Sequence, residues 1–370
     1  MRIVLTSGGT GGHIFPLVAV SKKLREIVPE GADLEFLFLG PDNALEREAM
    51  DGELIPRKKI LSGKMRRYFS LSYIPDLVKI PLGIAQSLWQ LLVFMPDVVF
   101  SKGGYAAVPV VIAAWIYHIP IIIHESDVTP GLANQLAARL ADKIAVSFPG
   151  AANFFNPGKV VITGNPIREE LAMGNKEEAQ KIFGLSGDKK IILVMGGSQG
   201  AKIINEAILN ILPQLLKEYE IIHITGEGEY EEVIGQAGRE GIKAGVGGYH
   251  PYPFLRGEMA QAFAASDLII SRAGANSLTE ISAVGKPAII IPIRFSANNH
   301  QELNAYVLSE SGAAIVLAQD NLGGNMLLEE IEKVTNSHEL QFDLSERIKK
   351  LYVPGAVKNI AEEIIKLANE

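Results

Sequence analysis

Two glycine-rich loops hold the residues of this sequence that are best suited to bind an anion. The first runs from Gly8 to His13 after the apolar run Ile3–Leu5, and the second runs from Gly196 to Ala201 after Ile191–Met195. Each loop joins a predicted buried strand to a helix, where bare N–H groups and the positive helix end favour a phosphate. Gly103 and Gly104, which follow the predicted strand Val98–Phe100, are added to the predicted phosphate loops. The predicted phosphate-loop residues are Gly8, Gly9, Gly103, Gly104, Gly196, Gly197, Gln199 and Gly200.

Two other strand ends in the second half carry polar residues that suit a sugar nucleotide. The segment Ser271–Glu280 follows a predicted strand and opens a helix. Glu280 can accept hydrogen bonds from both hydroxyls of a ribose, as acidic residues do in dinucleotide sites, or it is a solvated helix residue. His300 and Gln301 can hydrogen-bond a sugar, or they belong to a surface loop that caps the next helix. His118, on an apolar stretch, is predicted to be a packed histidine.

The elements that position these residues alternate along the chain. Strands rich in β-branched residues are separated by helices in both halves, which predicts parallel sheets covered on both faces. Ligands of such sheets bind at the carboxyl ends of the strands. The predicted strands are Ile3–Thr6, Leu34–Leu39, Val98–Phe100, Ile121–His124, Ile144–Ser147, Ile191–Met195, Ile221–Thr225, Leu268–Ser271 and Ala288–Ile293.

The chain is predicted to form two Rossmann-like domains that face each other across a cleft. Its 370 residues suit two domains. The Asn-Pro break within Gly164–Arg168 places the boundary there, with an N-terminal domain at 1–164 and a C-terminal domain at 165–353. The last segment, 354–370, has apolar residues at helical spacing and is predicted to pack back on the N-terminal domain.

Composition excludes several classes of protein. The absence of cysteine excludes disulfides and thiolate metal sites. The net charge of −7 argues against a general nucleic-acid binder. The longest apolar stretch, Val108–Ile123, contains two prolines and is shorter than the ~20 residues that a membrane span needs. We therefore expect a soluble cytoplasmic enzyme, with contact to a membrane surface left open.

Taken together, these motifs resemble the MurG family. Its members move N-acetylglucosamine from UDP onto undecaprenyl-diphosphoryl-muramoyl-pentapeptide (lipid I) and so form lipid II for the bacterial wall. The motifs occur in the family's order and cover nearly the whole chain. They are Gly8–His13 with Phe15-Pro16, Lys102–Tyr105, His124-Glu125 with Pro130–Asn134, Gly164–Arg168, Gly196–Ala201, Arg272–Ala275 with Glu280, and Asn299–Gln301.

The resemblance implies a fold, a reaction and partners. The fold is the GT-B glycosyltransferase architecture, and the reaction is an inverting transfer that needs no cofactor. The chain has no Asp-X-Asp motif, so no metal clamp of that type is expected. The implied partners are UDP-N-acetylglucosamine, lipid I, the anionic inner membrane surface and other wall-synthesis proteins, with no nucleic acid. The implied location is peripheral, on the cytoplasmic face of the bacterial cell membrane.

The resemblance also implies roles for individual residues. Many family members carry Asn where this chain has Asp127, and a carboxylate cannot donate as an amide does. A sugar contact at Asp127 is therefore not carried over. The donor-binding residues implied are Thr10, Gly11, Gly12, Arg168, Ser198, Leu255, Ala275, Glu280 and Gln301.

The attacking hydroxyl of the acceptor needs a general base. His13 is the leading candidate, because the positive end of the following helix disfavours imidazolium and keeps the ring neutral. The alternative is that His13 only binds a phosphate or fixes its loop. Glu125 and Asp127 are the other candidates for the base.

A basic and apolar segment indicates a surface for lipid. Lys64, Arg66 and Arg67 precede a run of apolar residues that extends to Phe94. Such a segment suits an anionic bilayer, or it is a crossover helix with an apolar core face and a solvated basic loop. We expect that part of the apolar surface is core and part touches lipid.

Three other functions remain open at this point. UDP-N-acetylglucosamine 2-epimerases share the architecture and need no lipid acceptor. A glycolipid synthase would use another UDP-hexose. A non-catalytic lipid-carrier or UDP-sugar-binding subunit of a wall-synthesis complex would show no turnover.

Overall fold

The fold consists of two compact units. Unit 1 comprises Met1–Ile167 and Val353–Glu370, and unit 2 comprises Arg168–Tyr352. The computed structural model describes residues 1–8, 11–29, 31, 33–63, 73–167, 169–197, 200–294 and 299–370.

Unit 1 is built on a parallel sheet with helices on both faces. Its helices before residue 168 are α1 (Gly11–Ile27), α2 (Ala44–Gly52), α3 (Tyr73–Phe94), α4 (Val108–Ile116) and α5 (Leu132–Leu140). Its strands are β1 (Arg2–Thr6), β2 (Glu35–Gly40), β3 (Arg57–Lys59), β4 (Val98–Ser101), β5 (Ile121–Glu125), β6 (Lys143–Val146) and β7 (Val160–Ile162). Over the described residues the strand order is β3-β2-β1-β4-β5-β6-β7, and every pair is parallel.

The central strand of unit 1 shows why this sequence forms such a sheet. Ile3, Val4 and Leu5 are fully buried, and β1 pairs with β2 on one side and with β4 on the other. Ile3 and Leu5 join the core cluster that contains residues of α1 and α2, whereas Val4 joins the cluster that contains residues of α4 and α5. An unbroken apolar run fits a strand that is covered on both faces.

Unit 2 repeats this arrangement. Its strands are β8 (Lys190–Met195), β9 (Tyr219–Ile224), β10 (Tyr249–Tyr252), β11 (Leu268–Ser271), β12 (Ala288–Ile290) and β13 (Ile315–Val316). Its helices are α6 (Lys176–Phe183), α7 (Lys202–Glu218), α8 (Tyr230–Arg239), α9 (Met259–Ala265), α10 (Ala275–Val284), α11 (His300–Glu310), α12 (Gly324–Asn336) and α13 (His338–Lys349). Among described residues the parallel order is β10-β9-β8-β11-β12-β13.

The last helix, α14 (Ala356–Ala368), belongs to unit 1. Ile360 and Ile364 are fully buried in the core cluster that also contains Leu17 of α1. Asn359 Nδ2 donates a hydrogen bond to the carbonyl of Thr163 at 3.2 Å. The core of unit 1 is therefore completed by residues that follow unit 2 in the sequence.

Helix α3 has a buried face and an exposed apolar face. Leu91 is buried, and Leu88 packs against the same core cluster. The opposite face exposes a stripe of large apolar side chains, which we call the α3 stripe. Among the described residues, no helix combines the length and apolarity needed to cross a bilayer. The α3 stripe consists of Val78, Leu82, Trp89, Leu92 and Val93.

The predicted pair of parallel-sheet α/β units is confirmed, and the differences lie at the edges. Strands β3, β7, β10 and β13 were not predicted, and they are the outer strands of the two sheets over the described residues. An edge strand has a neighbour on one side only, so it needs no buried apolar run. The sequence of β3, for example, is Arg-Lys-Lys.

The prediction that His118 is packed is wrong. Its side chain is exposed, and its φ of 57° lies in the left-handed region. The apolar stretch Val108–Ile123 that suggested packing consists of α4, which ends at Ile116, and the start of β5, with His118 in the connection between them. His118 follows the end of that helix, so the helical periodicity does not extend to it.

Candidate functional site

In unit 1, the loops after β1 and β4 lie backbone against backbone. The amide of Gly8 donates to the carbonyl of Gly103 at 2.7 Å. Gly104 has a φ of 86°, and a Cβ on it would lie 2.7 Å from Gly8 Cα. Both the conformation and the close approach require glycine at this position. The contact brings the two predicted phosphate loops of unit 1 together at the carboxyl edge of its sheet.

His13 lies beside this contact, in the first turn of α1. Its Nε2 is 3.8 Å from the place that a Cβ of Gly104 would occupy. Burial, together with the nearby charge of Lys102, lowers the pKa of His13 to about 4. The imidazole is therefore neutral near pH 7 and can accept a proton.

Lys102 directly follows β4 and is buried, with 2% of its surface exposed. Its amide donates to the carbonyl of Thr6 at 3.0 Å, and its Nζ donates to Ser126 Oγ. Burial lowers the pKa of Lys102 to about 8, although the charges of Glu125 and Asp127 act in the opposite direction. A buried cation thus lies under the paired glycine loops of unit 1.

The carboxylate of Glu125 fastens the loop that follows β5. It accepts hydrogen bonds from the amides of Asp127 at 3.0 Å and Gly131 at 3.2 Å, and from Asn134 Nδ2 at 2.8 Å. Burial and the neighbouring Asp127 raise the pKa of Glu125, and the hydrogen bonds oppose that rise. These contacts commit both carboxylate oxygens to the protein, so the geometry favours His13 over Glu125 as a base.

In unit 2, the loop after β8 makes a tight turn. Gly197 and Gly200 have φ values of 75° and 76°, and the amide of Gly200 donates to the carbonyl of Gly197 at 2.9 Å. A Cβ on Gly196 would lie 2.9 Å from Gly200 Cα. We call the described residues Gly196, Gly197, Gly200 and Ala201 the glycine turn. It leads directly into the N-terminus of α7, which begins at Lys202.

Arg272 directly follows β11 and lies beside the glycine turn. Its Nη2 is 2.5 Å from the place that a Cβ of Gly197 would occupy. Burial lowers the pKa of Arg272 below its usual value, and its Nε has no hydrogen-bond partner among the described residues. Because a buried unpaired donor is costly, this position suits a bound anion.

The other predicted residues of unit 2 lie after its strands or on the helices that follow them. Ala275 and Glu280 belong to α10, which follows Arg272, and Leu255 is buried after β10. Gln301 Oε1 accepts from the amide of Ile293 at 3.1 Å, so this side chain holds the loop after β12. Asn304 Nδ2 donates to the carbonyl of Ala273 at 3.0 Å and fixes the backbone next to Arg272.

The sequence analysis assigns no individual role to Lys102 and Arg272. Each is a cation directly after a strand that pairs with a strand followed by a glycine loop. This position relative to the glycine loops is the signal by which the sequence could have identified them.

Several predicted residues lie outside the described residues. Within the described ranges, no group of three His, Asp or Glu side chains could share a metal ion. The predicted residues outside the described ranges are Gly9, Thr10, Lys64, Arg66, Arg67, Arg168, Ser198 and Gln199.

Comparison with known families defines the class of protein. Residues 3–146 match the glycosyltransferase family 28 N-terminal domain. Residues 191–360 match the glycosyltransferase family 28 C-terminal domain. The first range lies in unit 1, and the second covers most of unit 2 and the start of α14 in unit 1. Together they include both sets of glycine loops. The chain is therefore a family 28 glycosyltransferase in sequence and fold.

Relatives that match most of the chain identify the family within this class. A protein of Lachnospira eligens named UDP-N-acetylglucosamine--N-acetylmuramyl-(pentapeptide) pyrophosphoryl-undecaprenol N-acetylglucosamine transferase is 40% identical over 334 residues, 90% of each chain. The crystal structure of Acinetobacter baumannii MurG has a TM-score of 0.76 at 26% identity and covers 99% of each chain. The chain belongs to this family of N-acetylglucosamine transferases, the MurG family.

A second solved structure shares the fold alone. The UDP-GlcNAc 2-epimerase of Neisseria meningitidis, bound to UDP-GlcNAc, has a TM-score of 0.67 at 15% identity. The similarity covers 99% of this chain and 100% of that one. Two Rossmann-like units of this kind therefore occur with more than one chemistry, and the reaction has to be argued from the site.

Proposed function

We propose that this chain transfers N-acetylglucosamine from UDP-N-acetylglucosamine to lipid I, with inversion at the anomeric carbon, and so forms lipid II. The observation that carries the proposal is the half-buried Arg272 beside Gly197, whose buried Nε has no hydrogen-bond partner among the described residues. A cation, the amides of a glycine turn and a helix N-terminus together suit a diphosphate. The names of the full-length relatives supply the identity of the donor and the acceptor.

Unit 2 holds the UDP portion of the donor in this proposal. The diphosphate binds the amides of the glycine turn and the Arg272 guanidinium. Glu280 accepts hydrogen bonds from the ribose hydroxyls, and the main chain at Leu255 contacts the uracil. Gln301 holds the loop that contains Ile293, and that loop contacts the sugar. As the bond to the sugar breaks, the leaving diphosphate gains charge, and preorganised donors stabilise that charge.

Unit 1 supplies the base and binds the acceptor. The 4-hydroxyl oxygen of the muramoyl sugar forms a bond to the anomeric carbon of N-acetylglucosamine. The bond from that carbon to the diphosphate oxygen breaks, and its electrons leave with UDP. The hydroxyl proton passes to the neutral ring of His13. The glycine loops at Gly8 and Gly104 bind the diphosphate of lipid I in this account.

The first test is transfer of labelled N-acetylglucosamine from UDP to a short-chain lipid I analogue. We expect product from the unaltered protein. Arg272→Gln keeps a polar side chain without the charge. We expect it to raise the KM for the donor about ten- to hundredfold, because loss of a hydrogen bond to a charged group weakens binding by about that factor. Lys286→Gln is the matched control, because Lys286 is also a partly buried cation of unit 2 but donates to the carbonyls of Ala264 and Ser266.

Two outcomes would contradict this proposal. Consumption of UDP-N-acetylglucosamine without transfer to the lipid would indicate an epimerase instead. Equal donor KM values for Arg272→Gln and Lys286→Gln would show that Arg272 does not bind the diphosphate.

The pH dependence of kcat/KM tests His13 as the base. Its pKa is lowered to about 4, so the neutral form dominates above that pH and activity is lost as the pH falls through it. We expect an acid limb well below the ordinary histidine value. His13→Asn is expected to lose about 10²- to 10⁴-fold in kcat, as removal of a general base does.

Tryptophan fluorescence at each pH is the control for folding, because Trp89 and Trp115 both belong to unit 1. A variant His13→Asn that kept the rate and the acid limb of the unaltered protein would assign the base to another group.

We also propose that the enzyme works peripherally on the anionic inner surface of the bacterial membrane. Lipid I is anchored in that membrane, so the acceptor is available only there. The α3 stripe supports the proposal, because Trp89 is 63% exposed and Leu82 is 50% exposed on the same face of the helix. Exposed apolar side chains along one helical face suit insertion at a lipid interface.

Cosedimentation with phosphatidylglycerol–phosphatidylcholine vesicles tests this contact. The double variant Leu82→Ser with Trp89→Ser is expected to bind at least about tenfold more weakly, because it removes two large apolar side chains from the interface. Phe342→Ser in unit 2 is the control, since Phe342 is 66% exposed but lies on α13. Binding of the double variant equal to that of the control would reject the α3 stripe as the lipid contact.

A further inference from the structure

We propose that Tyr249, His223 and Asn205 form a buried hydrogen-bonded relay that positions the glycine turn of unit 2 for the donor's diphosphate. The inference rests on the proposed function for its ligand and concerns residues that the reaction itself does not use. All three side chains are inside unit 2 and do not contact the reacting atoms. They are therefore positioning residues.

The relay is continuous from one strand to the glycine turn. The hydroxyl of Tyr249 on β10 lies 3.0 Å from His223 Nδ1 on β9. His223 Nε2 lies 3.0 Å from Asn205 Oδ1 on α7. Asn205 Nδ2 is 3.0 Å from the carbonyl oxygen of Thr225, which directly follows β9. All three side chains are buried, so these contacts are not shared with bulk water.

The chemistry of the groups fixes the direction of each hydrogen bond. A carbonyl only accepts, so Asn205 Nδ2 donates to Thr225 and Asn205 Oδ1 is left as an acceptor. His223 Nε2 must then carry the proton and donate to that oxygen. Nδ1 is consequently bare and accepts from the Tyr249 hydroxyl. Burial lowers the pKa of His223 to about 3, which agrees with a neutral ring that has one donor and one acceptor.

The relay reaches the glycine turn through the Thr225 carbonyl, to which the Asn205 side chain donates. Gly200 lies directly against the Thr225 carbonyl, where even a Cβ would collide with it, and that Cβ would lie 3.2 Å from Gly226 Cα. The Asn205 side chain therefore holds the carbonyl on which the glycine turn rests.

Packing alone does not require a histidine and a tyrosine at these positions. The core cluster beside the relay contains Ile192, Val194 and Ile221, and apolar residues in place of His223 and Tyr249 would pack there without polar partners. Asn205 also gives the buried Thr225 carbonyl its hydrogen bond. A polar network in a core is tolerated when every member is bonded, and it then restricts the geometry more tightly than apolar contact does. The restricted geometry here is the position of the glycine turn.

The test compares UDP binding with thermal stability in variants of the full chain. Tyr249→Phe removes one hydroxyl, and Asn205→Leu removes the link to Thr225. Tyr219→Phe is the matched control, because Tyr219 is on the same strand as His223 and its buried hydroxyl lies 2.7 Å from Thr335 Oγ1, away from the turn. We expect the two tyrosine variants to lose similar amounts of Tm.

Affinity for UDP, measured by calorimetry, separates positioning from stability. We expect Tyr249→Phe to weaken UDP binding about three- to tenfold and Asn205→Leu at least about tenfold, with no change in Tyr219→Phe. His223→Gln keeps an N–H that can reach Asn205, so it is expected to retain more affinity than His223→Leu. Nitrogen NMR shifts of the histidines are expected to show His223 protonated at Nε2 and bare at Nδ1.

Three outcomes would overturn the relay. Equal UDP affinity in Tyr249→Phe, Asn205→Leu and Tyr219→Phe would leave these residues with a structural role only. A proton on Nδ1 of His223 would contradict the direction of the chain. Absence of UDP binding by the unaltered protein would reject the proposed function, and the relay with it, whereas binding without an effect of the variants rejects the relay alone.

Discussion

The site depends on the direct approach of backbone to backbone at the carboxyl edge of each sheet. In unit 1 the contact joins Gly8 and Gly104, and in unit 2 it joins Gly196 and Gly200. A side chain at Gly104, Gly196 or Gly200 would collide with main-chain atoms, which cannot move as a flexible side chain can, and one at Gly8 would lie tightly against the main chain of Gly104. In our proposal, amides of these loops bind the diphosphates next to the N-terminus of a helix.

A cation accompanies the glycines in both units, and it is buried in unit 1 and half-buried in unit 2. Lys102 follows β4, which pairs with the first strand β1, and Arg272 follows β11, which pairs with β8. Burial of either charge is unfavourable unless other groups compensate. In unit 1 the compensation comes from Ser126, Glu125 and Asp127 within the protein. In unit 2 Arg272 Nε has no partner among the described residues, and the donor's diphosphate completes the site in our proposal.

Much of this organisation could be predicted from the sequence, because central strands and glycine turns leave strong local signals. Strands β1 and β8 contain the buried apolar runs Ile3–Leu5 and Ile191–Met195, and glycines follow each run within a few residues. The four edge strands could not be predicted in this way, since β3 is Arg-Lys-Lys and β13 has only two residues. The relay was also hidden, because Asn205, His223 and Tyr249 come together only when three elements pack. No local sequence pattern indicates that the two ring nitrogens of a buried histidine will form hydrogen bonds with residues of two other elements.

In our proposal, the glycine turn and Arg272 bind the diphosphate of the donor. A crystal structure of the protein with UDP would show whether they do. We expect diphosphate oxygens at about 2.7–3.2 Å from amides of the glycine turn and from the Arg272 guanidinium. A diphosphate bound away from that turn, or an Arg272 whose guanidinium contacts only protein atoms in the complex, would contradict it.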